Sequence, residues 1–194
     1  MVTTIFMIVI AYLIGSLSSA ILVCKAMNLP DPRTQGSGNP GATNVLRIGG
    51  KVPALITLLG DGLKGFIPVL VGHLIGINPF MLGVIGIAAL MGHILPAFFK
   101  FEGGKGVATA LGVLLALSPI VGIVAIIVWL IVAAISRYSS LAALTAMIAA
   151  PITVLVAGKF AYFFPILIIS GILVWRHWDN IQRLRVGTES KITF

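Results

Sequence analysis

The sequence predicts an all-α polytopic membrane protein with seven transmembrane segments, one of them short, the N-terminus outside and the C-terminus cytoplasmic. Three observations lead there. Hydrophobic residues fill 59% of the 194 positions and charged residues 9%, against about 25% charged in soluble globular domains; mean hydropathy is +1.13. The apolar residues fall in runs long enough to cross lipid. The basic residues fall where seven crossings gather nearly all of them on one face. No soluble domain, internal repeat or low-complexity stretch interrupts the runs, so residues 1–194 read as a single integral membrane domain.

The first element, Thr3–Cys24, is an uncharged run of 22 residues with no positive segment ahead of it. It reads as a retained spanning helix, although Ser18-Ser19-Ala20 weakly imitates a cleavage site. Further runs cover Val52–Gly76, Pro79–Phe99, Val107–Ile135, Ser139–Gly158 and Phe160–Trp175. The 29 residues from Val107 to Ile135 exceed one ordinary span and carry Ser118-Pro119 near their middle. Proline removes a donor and clashes with the preceding turn, so this run is one kinked helix or a short helix followed by a full span.

The positive-inside rule separates those two counts, because one added crossing reverses the side of everything downstream. Seven segments put Lys25, Arg33, Arg47, Lys51, Lys100, Lys105, Arg137, Arg176, Arg183, Arg185 and Lys191 in the cytoplasm, eleven of the 13 basic residues, leaving Lys159 outside and Lys64 within a span. Six crossings divide the same twelve non-embedded charges seven to five. A helix over Val107–Leu117 reaches only some 16 Å of a roughly 30 Å hydrocarbon core. It therefore has to pack in a thinned or water-accessible region, which is the first sign of a site.

Composition also excludes function classes. With five acidic residues and a net charge of +8, paired-carboxylate chemistry and a carboxylate-rich metal cage have little to draw on. A basic excess often signals nucleic acid, but a chain spent crossing lipid uses it to orient and to hold anionic substrates. The expectations are membrane lipid and no nucleic acid as partners, no metal, no cofactor, and a monomer. The lone Cys24 reads as a small buried hydrophobe.

Three polar segments share the predicted cytoplasmic face: Lys25–Lys51, Lys100–Gly106 and Arg176–Phe194. In the first, glycines 36, 38 and 41 around Asn39-Pro40 can expose successive backbone N–H groups to an anion, and Arg47 adds a planar fork of donors suited to phosphate. A plain Gly/Pro turn is the competing reading, with Thr43 or Asn44 capping the next helix. In the second, Gly103-Gly104-Lys105-Gly106 precede the short helix, where free N–H groups, the positive dipole end and a lysine make a phosphate site. It is not a Walker A loop, because Phe99 stands five residues before Gly104 and Gly106 follows Lys105. A glycine-rich turn with a snorkelling lysine competes.

The third segment packs His177, Asp179, Asn180, Arg183 and Arg185 into nine residues. Helical spacing puts His177 and Asn180 on one face; a membrane-flanking belt of Trp175, Arg176 and Trp178 is compatible with that. Within the spans, Asp61 and Lys64 are three residues apart and can pair, for a structural or a functional purpose. His73 lies near an outer end, whereas His93, with Pro96, stands just before the glycine-rich segment.

The stretches SGNPGATNVLR, GHILPAFFKFEGGKGVAT and HWDNIQRLRVGTE closely resemble the three cytoplasmic motifs of the bacterial acyl-phosphate:glycerol-3-phosphate acyltransferases, the PlsY family, and DGLKG around Asp61 and Lys64 is similar to it too. The resemblance covers the whole chain in motif order, size and span pattern. It implies transfer of a fatty acyl group from acyl phosphate to the 1-hydroxyl of glycerol 3-phosphate, giving lysophosphatidic acid and phosphate. This is the first acylation of phospholipid synthesis, in the bacterial inner membrane with the active site facing the cytoplasm.

Carried over residue by residue, the resemblance assigns phosphate binding to Gly103, Gly104 and Lys105 with Arg47 and His177. It sets Ser37, Gly38 and Asn39 at the acyl-phosphate head or carbonyl, and gives hydrogen bonds to hydroxyl or phosphate to Thr43, Asn44 and Asn180. Ser37, Asn39, His177 and Asn180 are the candidate catalytic residues, His93 a candidate substrate ligand, and Glu189 orders its loop. The His-x4-Asp pattern of thioester-dependent acyltransferases is absent: Asn78, Phe98 and Gln182 stand five residues after the three histidines. That fits a donor that arrives as a mixed anhydride and needs no enzyme nucleophile. His93 and His177 are candidate bases, with proton transfer to the acyl phosphate itself preferred. A small transporter of an organic phosphate is the alternative; against it, the polar clusters gather at one surface and no inverted repeat is visible.

Overall fold

The computed structural model describes residues 1–192, so Thr193 and Phe194, the end of the third polar segment, lie outside the described residues. The helices are α1 (Val2–Gly15), α2 (Ser19–Ala26), α3 (Ala42–Gly49), α4 (Lys51–Leu74), α5 (Pro79–Ile94), α6 (Val107–Leu117), α7 (Pro119–Ser136), α8 (Ser139–Val156), α9 (Phe163–Arg176) and α10 (Trp178–Arg185), with single 3-10 turns at Ala97–Phe99 and Phe160–Tyr162. Among the described residues no strand occurs. Among the same described residues four helices, counting Pro79–Phe99 as one, are long and apolar enough to cross a membrane, and up to six if two bent pairs each count as a span.

Pro119 does divide the long apolar run. It opens α7 at its first turn, where a missing N–H costs nothing, and α6 stops at Leu117 after 11 residues. The first run, in contrast, is not one straight helix: α1 and α2 meet at 41°. The Ser16 hydroxyl donates to the Tyr12 carbonyl over 2.8 Å, and Ser18 is extended at φ −81°, ψ 97°. Serine hydroxyls compete for backbone partners in this way, and Gly15 beside them lets α1 lie against α5, since a Cβ there would strike the Ala89 carbonyl.

The polar stretch Lys25–Lys51 is also not loop throughout. Its second half folds as α3, which buries Asn44 and Val45 and exposes Arg47. Gly50, at φ +82°, makes the left-handed corner into α4. Neither Thr43 nor Asn44 caps α4; both lie inside α3.

The core joins Leu90 of α5, Val113 and Leu114 of α6, and Ile166 and Ile169 of α9. The α4–α6 contact is backbone against backbone. A Cβ on Gly112 would strike the Gly62 carbonyl, and one on Gly65 would strike the Thr109 carbonyl. Small residues are what let membrane helices approach this closely, and here they bring the first turn of α6 beside the α4 face that carries Asp61. The outward faces of α4 and α7 are apolar and exposed, as Ile56, Ile67, Ile127 and Ile131 illustrate, which suits contact with lipid.

Gly112→Ala should separate the two helices at a cost of about 1–3 kcal/mol. The thermal midpoint of the detergent-purified protein should fall by about 2–4 °C per kcal/mol. Gly171→Ala, inside α9 with an added Cβ that meets nothing within 4 Å, should leave the midpoint unchanged or slightly raised.

Candidate functional site

One cavity of about 600 Å³ gathers all three polar segments. Its polar end is bordered by Ser37, Asn39, Thr43, Asn44, Arg47, Lys105, His177 and Asn180. An apolar arm continues from it between α4, α6 and α7, bordered by Leu58, Phe66, Leu111, Leu115 and Leu130.

The first segment is organised around Asn44. Its Oδ1 accepts from the Ser37 backbone N–H over 2.8 Å, and its Nδ2 donates to the carbonyls of Pro32 and Gln35 over 2.8 and 2.9 Å. Gly36 must be glycine here, since it sits at φ +61° and a Cβ would strike Asn44 Oδ1. Asn44 is therefore spent on holding the loop, and Ser37 and Asn39 are what the loop presents. Thr43 Oγ1 pairs with Ser139 Oγ on α8 at 3.0 Å. Arg33, doubly bonded to Asp31, reaches Glu102 over 3.1 Å and links this loop to the second segment.

In the second segment Gly103 and Gly104 pack on the end of α5. The Gly104 N–H donates to the His93 carbonyl over 3.2 Å, and side chains at 103 or 104 would strike His93. These two glycines and Gly38 do not border the cavity; Lys105, Gly106, Val107 and Ala108 do. Gly106, at φ +85°, turns the chain into α6, whose first turn has no side-chain cap. Free N–H groups at the positive end of a helix dipole thus open on the cavity, a favourable place for an anion. Burial and the charge of Arg183 lower the Lys105 ammonium below the ordinary lysine value. An anion bound beside it would reverse that shift.

The third segment bends by 58° between α9 and α10, and His177 stands at the bend. Its Nδ1 lies 2.8 Å from the Leu173 carbonyl. A carbonyl only accepts, so Nδ1 carries the proton and Nε2 is left as an acceptor. Burial, reinforced by the charge of Lys105 and opposed by the Leu173 bond, lowers the imidazole to about 4, so it is neutral at pH 7. Asn180 accepts from Lys105 and donates to Glu189 Oε1 over 2.6 Å. Glu189 also accepts from Ser140 Oγ and Arg183 Nε, each over 2.7 Å. Burial works to raise its carboxyl, and those three bonds outweigh it and hold the group below the usual range. The expected Glu189 contact is thus a three-way junction joining α8, α10 and the C-terminal segment.

Of the twelve candidate residues, nine border the cavity and Gly38, Gly103 and Gly104 support it from behind. Sequence reasoning missed Ser139, Ser140, Trp129 and Ile192 as wall residues; the first three lie in spans, where polarity and spacing carry no signal, and Ile192 is an isolated apolar residue near the end of the third polar segment. Asp61 and Lys64 do pair, at 2.8 Å, and only Asp61 of the two borders the cavity. Among the described residues no three His, Cys, Asp or Glu side chains converge to hold a metal.

Residues 5–187 match the family described as glycerol-3-phosphate acyltransferase. A glycerol-3-phosphate acyltransferase of Coxiella burnetii (strain Dugway 5J108-111) is 54% identical over 185 residues, 95% of this chain and 96% of the relative. One of Thioalkalivibrio sulfidiphilus is 55% identical over 183 residues, 94% and 90% of the two chains. The crystal structure of PlsY, an integral membrane glycerol 3-phosphate acyltransferase in its glycerol 3-phosphate form, is similar at a TM-score of 0.93 and 41% identity over 98% of this chain and 96% of that one. The lysophosphatidic acid form gives 0.91 and 41% over 97% and 95%.

The buried imidazole makes stability depend on pH. His177 takes its proton near 4 in the folded chain against 6.5 ordinarily, so the unfolded chain binds more protons between those values. The stability present above 6.5 is lost as pH falls toward 4. The thermal midpoint should fall over that window, and His177→Gln should flatten the fall.

Proposed function

The chain belongs to the glycerol-3-phosphate acyltransferase family, and from that membership we propose that it transfers a fatty acyl group from acyl phosphate to the 1-hydroxyl of glycerol 3-phosphate, releasing lysophosphatidic acid and phosphate. The observation that carries the reading is a single cavity whose cationic, N–H-rich end continues into an apolar arm. Two phosphorylated substrates, one with an alkyl chain, need both parts at once.

Lys105, Arg47 and the first turn of α6 hold the phosphate of glycerol 3-phosphate, and Ser37 and Asn39 face the acyl-phosphate head. Asn180, fixed by Glu189, steers the Lys105 ammonium. The neutral Nε2 of His177 accepts a hydrogen bond from the non-reacting 2-hydroxyl and so orients the glycerol, leaving the proton of the attacking 1-hydroxyl free for the phosphate. The glycerol 1-oxygen forms a bond to the acyl carbon, the bond from that carbon to the phosphate oxygen breaks, and the departing phosphate takes the hydroxyl proton. No enzyme nucleophile is required, because the donor is already activated. Assembling two anions in one place supplies most of the catalysis.

The protein is an integral membrane protein with four to six long apolar spans. We further propose that the short α6 brings the count to seven, with the N-terminus outside, the C-terminus and site cytoplasmic, in the inner membrane. The positions of the basic residues support this. A single domain acting as a monomer, without cofactor or metal, completes the reading.

Purified protein given acyl phosphate and glycerol 3-phosphate should release one phosphate per lysophosphatidic acid formed. Lys105→Met, losing a charged hydrogen bond of about 1.5–3 kcal/mol, should lower kcat/KM by about 10- to 150-fold. No turnover, with organic phosphate accumulating in proteoliposomes, would instead establish a transporter.

A further inference from the structure

The mechanism above leaves a buried ion pair without a task. Asp61 and Lys64 are 2% and 5% exposed and 2.8 Å apart, and embedding two charges costs free energy that a pair of apolar residues would not. The Lys64 side of the pair faces the break in the first span. Its ammonium donates to the Leu17 carbonyl over 2.8 Å, between α1 and α2, where regular helical bonding is interrupted. At this point Gly60 of α4 leaves room for Ser19, whose Oγ a Cβ would meet at 2.8 Å.

The same Asp61 oxygen that meets Lys64 also faces His93. Oδ1 lies 3.6 Å from His93 Nδ1, which is also 3.3 Å from Thr109 Oγ1 on α6. That oxygen makes no aligned hydrogen bond despite its closeness to Lys64. The far edge of the imidazole carries Nε2, and it occupies the space a side chain on Gly104 would need. The ring is therefore wedged between Asp61 and Thr109 on one side and the backbone just before Lys105 on the other. The Gly104 N–H closes the arrangement on the His93 carbonyl.

We propose that the Asp61–Lys64 pair is a positioning device for the Gly103-Gly104-Lys105 segment, acting through His93. Lys64 ties α4 to the broken first span, Asp61 holds the imidazole, and the imidazole sets the height of the Gly104 peptide. That height aims Lys105 and the first turn of α6 at the anion. His93 is then a positioning residue, and glycine stands at 104 because the ring fills the place of its Cβ. The proposal rests on the reading that this segment holds the phosphate of glycerol 3-phosphate.

The test is steady-state kinetics on purified wild type, His93→Ala, His93→Asn and the double variant D61N/K64M, which removes both charges so that neither is stranded. His93→Ala and D61N/K64M should each raise KM for glycerol 3-phosphate about tenfold, with KM for acyl phosphate and kcat nearly unchanged. His93→Asn, whose amide can still reach Thr109, should recover part of the loss. A collapse of kcat at constant KM, with the acid limb of the pH profile removed, would overturn the proposal in favour of proton transfer by His93. Unchanged kinetics with a lowered thermal midpoint would overturn it in favour of packing alone. If wild type itself does not turn over, the functional reading fails, and calorimetry with inorganic phosphate on the same proteins still decides: about tenfold weaker binding supports the positioning role, and unaltered binding overturns it.

Discussion

The close backbone contact between α4 and α6 is the constraint on which the site depends. Glycines on both helices let α6 lie against α4, and α6 is too short to cross a bilayer by itself. Its first turn consequently opens inside the molecule, with no side chain capping it. An uncapped helix end buried without partners would cost free energy. Open to a polar cavity, the same N–H groups become an anion site. Lys105 stands immediately before that turn, so a fixed dipole and a full charge act on the same point.

The remaining electrostatics follow from a shortage of acids. Of five carboxylates, Asp61 is matched by Lys64, Asp31 and Glu102 share Arg33, Glu189 takes bonds from Ser140, Asn180 and Arg183, and the fifth, Asp179, is exposed and away from the cavity wall. The cations that border the cavity thus outnumber the acids free to neutralise them. A site of this kind is poor at proton abstraction and good at assembling anions. The neutral His177, held by Leu173, contributes a directional acceptor without adding charge.

Much of this was legible in the sequence because the signals are local. Apolar runs marked the spans, Ser118-Pro119 marked the split between α6 and α7, and Gly-Gly-Lys-Gly marked the start of the short helix. The parts that were not legible depend on distant partners. The break at Ser16–Ser18 is coupled to Lys64, 47 residues from the carbonyl it satisfies. Asn44 carries the chemistry of a ligand or a cap, and only the fold reveals that Pro32, Gln35 and Ser37 use it up. His93 stands in a motif like a substrate ligand and borders the cavity, and only the fold reveals that its ring also fills the place of a side chain on Gly104. The helical half of the first polar segment was hidden by the glycines and prolines ahead of it.

The account holds that the protein positions two anions and lends the acyl group no nucleophile of its own. Trapping is the most direct measurement: purified protein is mixed with radiolabelled acyl phosphate without glycerol 3-phosphate, quenched in acid and separated. The account predicts no label on the protein at any time, and rapid formation of labelled lysophosphatidic acid once glycerol 3-phosphate is added. A stoichiometric, acid-stable acyl-protein that forms first and is consumed by glycerol 3-phosphate would contradict it.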